Sequence, residues 1–386
     1  MLTKHPTAEL PVYARLNLTV VGGRGARLLT DDGREIVDFY AGHAVSQLGY
    51  NHPRLTAAIA GQAEQLIFQT NAVHHPGRDA AIAALVDFAP EGLDRAFLVN
   101  SGAEANENAL RLAFLHAAAR GEPRTRVIAV AGGFHGRTAA ASACGPGTGS
   151  AWYGFPRAPF DVTVVPFNGR AALAAAMGPD VAAVILEPVQ GVAGARALDP
   201  EFVADAAELA AECGAAFIAD EVQCGTGRTG TRFAVESIGV QPDILTAAKG
   251  LGGGFPIGAV LTTEAFASTV ANGHLGTTFG AAPMACAAMQ AVIDTIDDAL
   301  LARVNAVSAR LHAECITGPI TAVQGRGLLL GLRTGPPAAE VRRALLERNV
   351  LVGSAADPHI VRLTPPLTVE DADIDQLIAA LRELPS

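Results

Sequence analysis

The sequence predicts an α/β fold built on a largely parallel sheet covered on both faces. Three observations carry this reading. Short unbroken apolar runs recur from residue 96 to residue 261, longer helix-period segments separate many of them, and glycine-rich clusters follow directly after several of the runs. Strands buried on both faces read as continuous apolar runs, and parallel strands need crossover segments between them. Ligands of such sheets bind beyond the carboxyl ends of the strands, so the residues just after each run are the ones to read for chemistry.

Taken in order, a hairpin is expected over 26–38, with Asp31-Asp32-Gly33 at its turn. Strands are expected over 96–99, 126–130, 162–165, 181–186, 216–219, 244–247 and 258–261. Helices are expected over 104–119, 171–176 and 200–213. Beyond about residue 285 the pattern changes. One long helix over 285–308, short strands near 327–332 and 359–363, and a terminal helix over 369–384 read as a smaller α+β unit. No internal repeat or low-complexity linker interrupts the chain.

Composition narrows the function classes. With 386 residues, 50% hydrophobic and 17% charged, the chain is not intrinsically disordered. A net charge of −10 argues against a general nucleic-acid surface, although a local cationic pocket for an anion remains compatible with it. Cys144, Cys213, Cys224, Cys286 and Cys315 are odd in number and form no CxxC, so neither a disulfide framework nor a zinc ribbon is expected. The first fifteen residues lack the apolar core of a signal peptide, and no apolar run approaches the ~18 residues of a membrane span. The expectation is a soluble, reduced, cytoplasmic protein. His52, His74, His75 and His135 have no metal-ligand spacing, so no metal is expected.

Five motifs stand at the ends of runs. Lys249 follows the 244–247 run and precedes Gly250-Leu251-Gly252-Gly253-Gly254. A lysine taken out of bulk water has a lowered pKa and a nucleophilic amine. Asp220 ends the 216–219 run, where a carboxylate needs a partner, and a protonated pyridine nitrogen is a good one. Asn100-Ser101-Gly102-Ala103-Glu104 joins a strand to a helix, and small residues there let backbone N–H groups approach an anion. Its spacing matches neither GxGxxG nor a P-loop, so one small phosphate suits it better than a nucleotide. Gly132-Gly133-Phe134-His135-Gly136-Arg137 offers an aromatic for a flat ring and an arginine for a carboxylate. Arg362 sits inside the apolar segment His359-Ile360-Val361-Arg362-Leu363, where its charge cannot be dropped. Each motif alone also has a bland reading: a loop-edge lysine, a capping or salt-bridged aspartate, an ordinary helix cap, a structural ion pair. Together they suit pyridoxal 5'-phosphate acting on an amino acid.

The ordered motifs SGAEA, GFHGRT, EPVQG, DEVQ, AKGLGGGFPIGA, TTFG and RLTPPL resemble the class III pyridoxal-phosphate-dependent aminotransferases, in the acetylornithine/ornithine aminotransferase branch, from Tyr13 to about residue 382. The resemblance implies PLP-dependent fold type I, with a large seven-stranded sheet domain and a small domain drawn from both termini. It divides the chain into an N-terminal segment 1–45 joining the small domain, a large cofactor domain 46–285 and a small domain 286–386. It also implies a homodimer with sites at the interface. Lys249 would form the Schiff base and carry the proton, and Asp220 would hold the ring nitrogen. Phe134 and Val222 would flank the ring, and Gln223 would reach its phenolic oxygen. Ser101, Gly102 and Ala103 would cup the phosphate, joined by Thr278 from the neighbouring subunit. Arg362, Arg137, Tyr13 and Thr277 would belong to the substrate side. Glu187 falls in the site wall without an assigned role. The implied reaction moves an amino group from an N-acylated or basic amino acid such as acetylornithine or ornithine to 2-oxoglutarate.

Three positions depart from that pattern. Val192 stands where the family places a glutamate after EPVQG, which would mask Arg362 by an ion pair that valine cannot make. This raises the alternative of α-carbon chemistry on the same fold, such as racemisation, epimerisation or decarboxylating transfer. His43 replaces an apolar residue or tyrosine near the substrate, and with an ordinary pKa near ~6.5 it would bind or sense a polar group. Ala282 removes a loop asparagine.

Overall fold

The computed structural model describes residue 10, residues 12–145 and residues 153–385. Its centre is a seven-stranded sheet in the order Arg95–Val99, Gly258–Thr262, Ile244–Ala247, Ala216–Asp220, Val181–Leu186, Arg126–Val130, Asp161–Val165. Each contains one of the seven expected runs. Gly258–Thr262 runs antiparallel to both its neighbours, and the other six strands are mutually parallel. The six parallel strands therefore end on one edge.

Alternation along the strands explains why both faces are apolar. Val127, Ala129, Ala183, Ile185, Ala216 and Ile218 point to one side, against Leu110, Leu112 and Ala113 of the Gly102–Ala119 helix. Ile128, Val130, Val184, Leu186 and Phe217 point to the other, against Phe202, Val203 and Ala206 of the Pro200–Cys213 helix. The Val181–Leu186 strand is buried at every residue. At ~25 cal/mol per Å² of apolar surface, this two-sided burial is the main stabilising contribution of the large sheet.

The expected hairpin forms from Arg27–Thr30 and Glu35–Asp38, and Gly33 takes the positive φ its turn requires. Val350–Leu351 pairs in parallel with Glu35–Asp38, tying the two ends of the chain together. A further antiparallel sheet contains Ile320–Arg326, Leu329–Thr334, Ile360–Leu363 and Gly353–Ser354. The long helix expected over 285–308 is instead two helices, Pro283–Ile293 and Asp298–Glu314. The break falls at Asp294-Thr295-Ile296-Asp297, because the Asp297 carboxylate accepts the Leu300 N–H and starts a new helix. No helix among the described residues is long and apolar enough to cross a membrane.

Candidate active site

The parallel edge gathers the motifs. Gly102, at the start of the helix after Arg95–Val99, lies so close to Val222 that a Cβ would sit 2.5 Å from Val222 Cγ1 and 3.4 Å from Ala248 Cβ. One contact thus joins the ends of three strands. Gly136 approaches Ala103 as closely: its own Cβ would lie 2.7 Å from that of Ala103. Ser101 Oγ accepts the Glu104 N–H at 3.2 Å, and Glu104 Oε2 accepts the Asn100 N–H at 2.6 Å. The first N–H groups of a helix have no intrahelical acceptor, so those of Gly102 and Ala103 remain to meet an anion.

Asp220 is buried and well supplied with donors. Its Oδ2 accepts from the Asn106 amide at 2.7 Å and pairs with His135 Nδ1 at 2.7 Å, and its Oδ1 accepts the Val222 N–H at 3.0 Å. Asn106 is itself fixed, donating to the His135 carbonyl and accepting from the Thr246 hydroxyl, both at 2.7 Å. Burial is the largest single influence on His135 and opposes its charge, but the bond to Asp220 and the charges of Asp220 and Glu187 together outweigh it and hold the imidazole above its ordinary value. His135 Nε2 is buried without a partner. His135 and Asn106 were not singled out as site residues from sequence. The adjacency of His135 to Phe134 and of Asn106 to the SGAEA motif was the available signal.

Lys249 opens a short 3₁₀ turn with φ of 39°, a strained value for a side chain other than glycine. Its amine makes no hydrogen bond or ion pair within the described residues. Burial lowers its pKa, against the opposing pull of Asp220 and Glu187. Glu187, at the end of Val181–Leu186, accepts the Phe134 N–H at 2.7 Å and the Gly191 N–H at 3.4 Å. Burial, reinforced by Asp220, pushes its carboxyl up to about 7.

Arg362 is buried beside this cluster. It donates to Gln223 Oε1 at 3.0 Å and to the Tyr40 hydroxyl at 3.1 Å, its Nε has no acceptor, and it forms no ion pair among the described residues. Both of these acceptors are neutral groups. Gln223 can come this close because Gly191 is bare: a Cβ there would fall 1.6 Å from Gln223 Oε1. Tyr40, which carried no sequence signal, also lies against the His43 ring nitrogens, with ring centroids 4.5 Å apart. Ala41, Gly42, His43 and Ala44 all have positive φ, 45 to 68°, forming a left-handed turn. That costs roughly 1–2 kcal/mol for each residue other than glycine. The Asp38 carboxylate, which accepts the Tyr40 and Ala41 N–H groups at 2.6 and 3.0 Å, helps to hold it. The expectation that His43 titrates near neutrality is corrected. His43 is exposed in the single chain, but partial desolvation by its surroundings, then the cations of Arg362, Lys249 and Arg137, lower its pKa to about 4.

The remaining expected residues are placed less centrally. Arg137 and Thr278 are exposed in the single chain, and Tyr13 is 67% exposed. The Thr277 hydroxyl accepts from the Gly280 N–H of its own loop at 3.0 Å and from the Asn100 amide, just past the Arg95–Val99 strand, at 3.3 Å. Val192 is half-buried, and its carbonyl accepts the Ala356 N–H at 2.8 Å. Among the described residues, no group of three or more His, Cys, Asp or Glu side chains is arranged to hold a metal ion.

A half-buried amine, a fixed carboxylate at the end of the neighbouring strand, an anion-ready helix start and a guanidinium without an ion-pair partner among the described residues can together bind an anionic amino acid and move a proton. Comparison with known proteins agrees with that chemistry. The family model for class-III aminotransferases matches residues 11–384. The chain is 39% identical to the acetylornithine aminotransferase of Mesorhizobium japonicum, covering 97% of this chain and 95% of that one. It is 41% identical to the acetylornithine aminotransferase of Streptomyces coelicolor, covering 96% and 91%. Among solved structures, the ornithine aminotransferase of Toxoplasma gondii superimposes with a TM-score of 0.91 at 29% identity, covering 97% of this chain and 91% of that chain. The acetylornithine aminotransferase of Elizabethkingia anophelis does so with a TM-score of 0.85 at 27% identity, covering 97% and 95%. The match runs through nearly the entire length and includes every motif that meets at the sheet edge, and the chain belongs to the class III aminotransferases.

Proposed function

We propose that the site holds pyridoxal 5'-phosphate and that the enzyme transfers an amino group between acetylornithine or ornithine and 2-oxoglutarate. The observation that carries this reading is the placing of Lys249 just beyond one strand and Asp220 at the end of the adjacent parallel strand: a half-buried lysine whose amine has no protein partner among the described residues, and a carboxylate locked by three N–H donors. The residues present fit the group. The Asp220 carboxylate has no guanidinium or ammonium bonded to it, its described partners being the Asn106 amide, the His135 imidazole and the Val222 N–H, and the helix start at Gly102 and Ala103 suits a phosphate. Phe134 and Val222 would hold the ring faces, and Thr278 would come from the neighbouring subunit of a homodimer. The division into segments 1–45, 46–285 and 286–386 and a cytoplasmic location belong to the same reading.

When bound, the coenzyme supplies an aldehyde to capture the amino group and a ring to accept the electron pair left on carbon. The chain supplies the rest. Asp220, fixed by His135, Asn106 and the Val222 N–H, would be the group that holds the ring nitrogen. Lys249 Nζ, with its pKa lowered by burial, has a larger uncharged fraction than an exposed lysine, so it can take a proton from substrate carbon and return it. Gln223 turns its oxygen to Arg362, which leaves its N–H₂ as the donor toward a coenzyme oxygen. Arg362, with neutral partners only, is poised for a substrate carboxylate.

The test is a donor screen on the purified enzyme. Adding acetylornithine or ornithine without an oxo acid should convert the coenzyme spectrum from its aldehyde to its amine form, and 2-oxoglutarate should reverse it. If no amino acid does so, transamination is wrong. The unmasked Arg362 gives the α-carbon alternative a specific observation, and inversion of recovered amino acid or release of carbon dioxide would support it.

A further inference from the structure

Glu187 is a buried carboxylate to which the proposed reaction gives no task. It is 4% exposed and forms no ion pair among the described residues, and its two oxygens serve two different walls of the site. Oε1 accepts the backbone N–H of Phe134, within residues 132–137. Oε2 accepts the N–H of Gly191, in the turn between Val189–Gln190 and Arg196–Ala197. Gly191 is the residue whose missing Cβ leaves room for Gln223, and Gln223 Oε1 receives Arg362 Nη1 at 3.0 Å.

We propose that Glu187 is a positioning residue that sets, through one side chain, both the aromatic wall of the coenzyme pocket and the carboxylate-binding arginine. The inference rests on the coenzyme reading above. Its physical basis is that a backbone amide bonded to a rigid strand end cannot drift, and displacements of about 1 Å in positioning groups cost up to about a hundredfold in rate. The Phe134 arm is short and direct. The Arg362 arm passes through the packing of Gly191 on Gln223, so a methyl group at residue 191 should break that arm alone.

The test uses the holoenzyme and the variants Glu187→Ala, Glu187→Gln and Gly191→Ala, with far-UV circular dichroism to establish folding. Visible circular dichroism of the bound coenzyme reads the Phe134 wall, and KM for 2-oxoglutarate reads Arg362. Glu187→Ala should change the visible band and raise KM about tenfold or more. Glu187→Gln should keep the Phe134 bond through its amide oxygen and turn its N–H₂ against the Gly191 N–H, so the band stays near wild type while KM rises. Gly191→Ala should raise KM with an unchanged band. The proposal is overturned if folded Glu187→Ala keeps both the band and a KM within about twofold of wild type. If Glu187→Ala does not fold, a KM within about twofold of wild type in both other variants overturns it. A wild-type protein that takes up no coenzyme chromophore overturns the coenzyme reading and this inference together. A chromophore with unmoved variants sinks only the inference.

Discussion

Replacing His135 by leucine removes one of the three donors that fix Asp220, the one at 2.7 Å from Oδ2. A hydrogen bond to a charged group contributes about 1.5–3 kcal/mol. If that energy is expressed at the transition state, kcat/KM falls by roughly 10- to 150-fold, at about 1.4 kcal/mol per tenfold. Folding stability should change less than catalysis, because the same substitution removes His135 Nε2, a buried nitrogen with no partner, and leucine fills much of the space. Steady-state kcat/KM and a thermal melt on the same preparations separate the two effects. His135→Asn, which keeps an N–H donor, should recover part of the loss. A leucine variant within about threefold of wild type, or an asparagine variant no better than leucine, would refute the reasoning.

Lys249→Ala should abolish amino transfer yet leave the apoprotein at least as stable, since it removes a partly desolvated amine with no protein partner among the described residues; a lower melting temperature for the apo variant would contradict this. Glu187 gives a pH dependence of definite sign. Its folded value near 7 lies above the ordinary 4.5, so its stabilisation is fully present below about pH 4.5 and is lost as pH rises through about 7. At about 1.4 kcal/mol per pH unit, the loss is worth about 3 kcal/mol, and denaturant unfolding of wild type against Glu187→Gln should show the difference narrowing toward acid pH. His43, lowered to about 4, should not titrate near neutrality, so His43→Gln and wild type should have parallel kcat/KM profiles between about pH 5 and 8; a profile limb near 6.5 that vanishes in the variant would show otherwise.

The large sheet was legible because its strands are apolar on both faces and their ends carry short, ordered motifs. Each of the seven expected runs falls within an observed strand, and Pro200–Cys213 matches residue for residue. The break at 294–297 is not legible from apolar spacing, which continues past it, although Asp297 is a cap signal there. Other features had no local signature. Tyr40 meets Arg362 across 322 residues of sequence, and the left-handed turn at Ala41–Ala44 places two alanines and a histidine where propensity gives glycine. The depressed basicity of His43 likewise depends on partial desolvation and on cations brought together only by folding.

The linkage at Lys249 can be read directly. After reconstitution with pyridoxal 5'-phosphate, borohydride reduction and proteolysis, mass spectrometry should find the coenzyme on the peptide containing Lys249 and on no other lysine. A reduced adduct at another lysine, or a protein that stays colourless and unlabelled, would contradict the assignment of this amine as the reacting group.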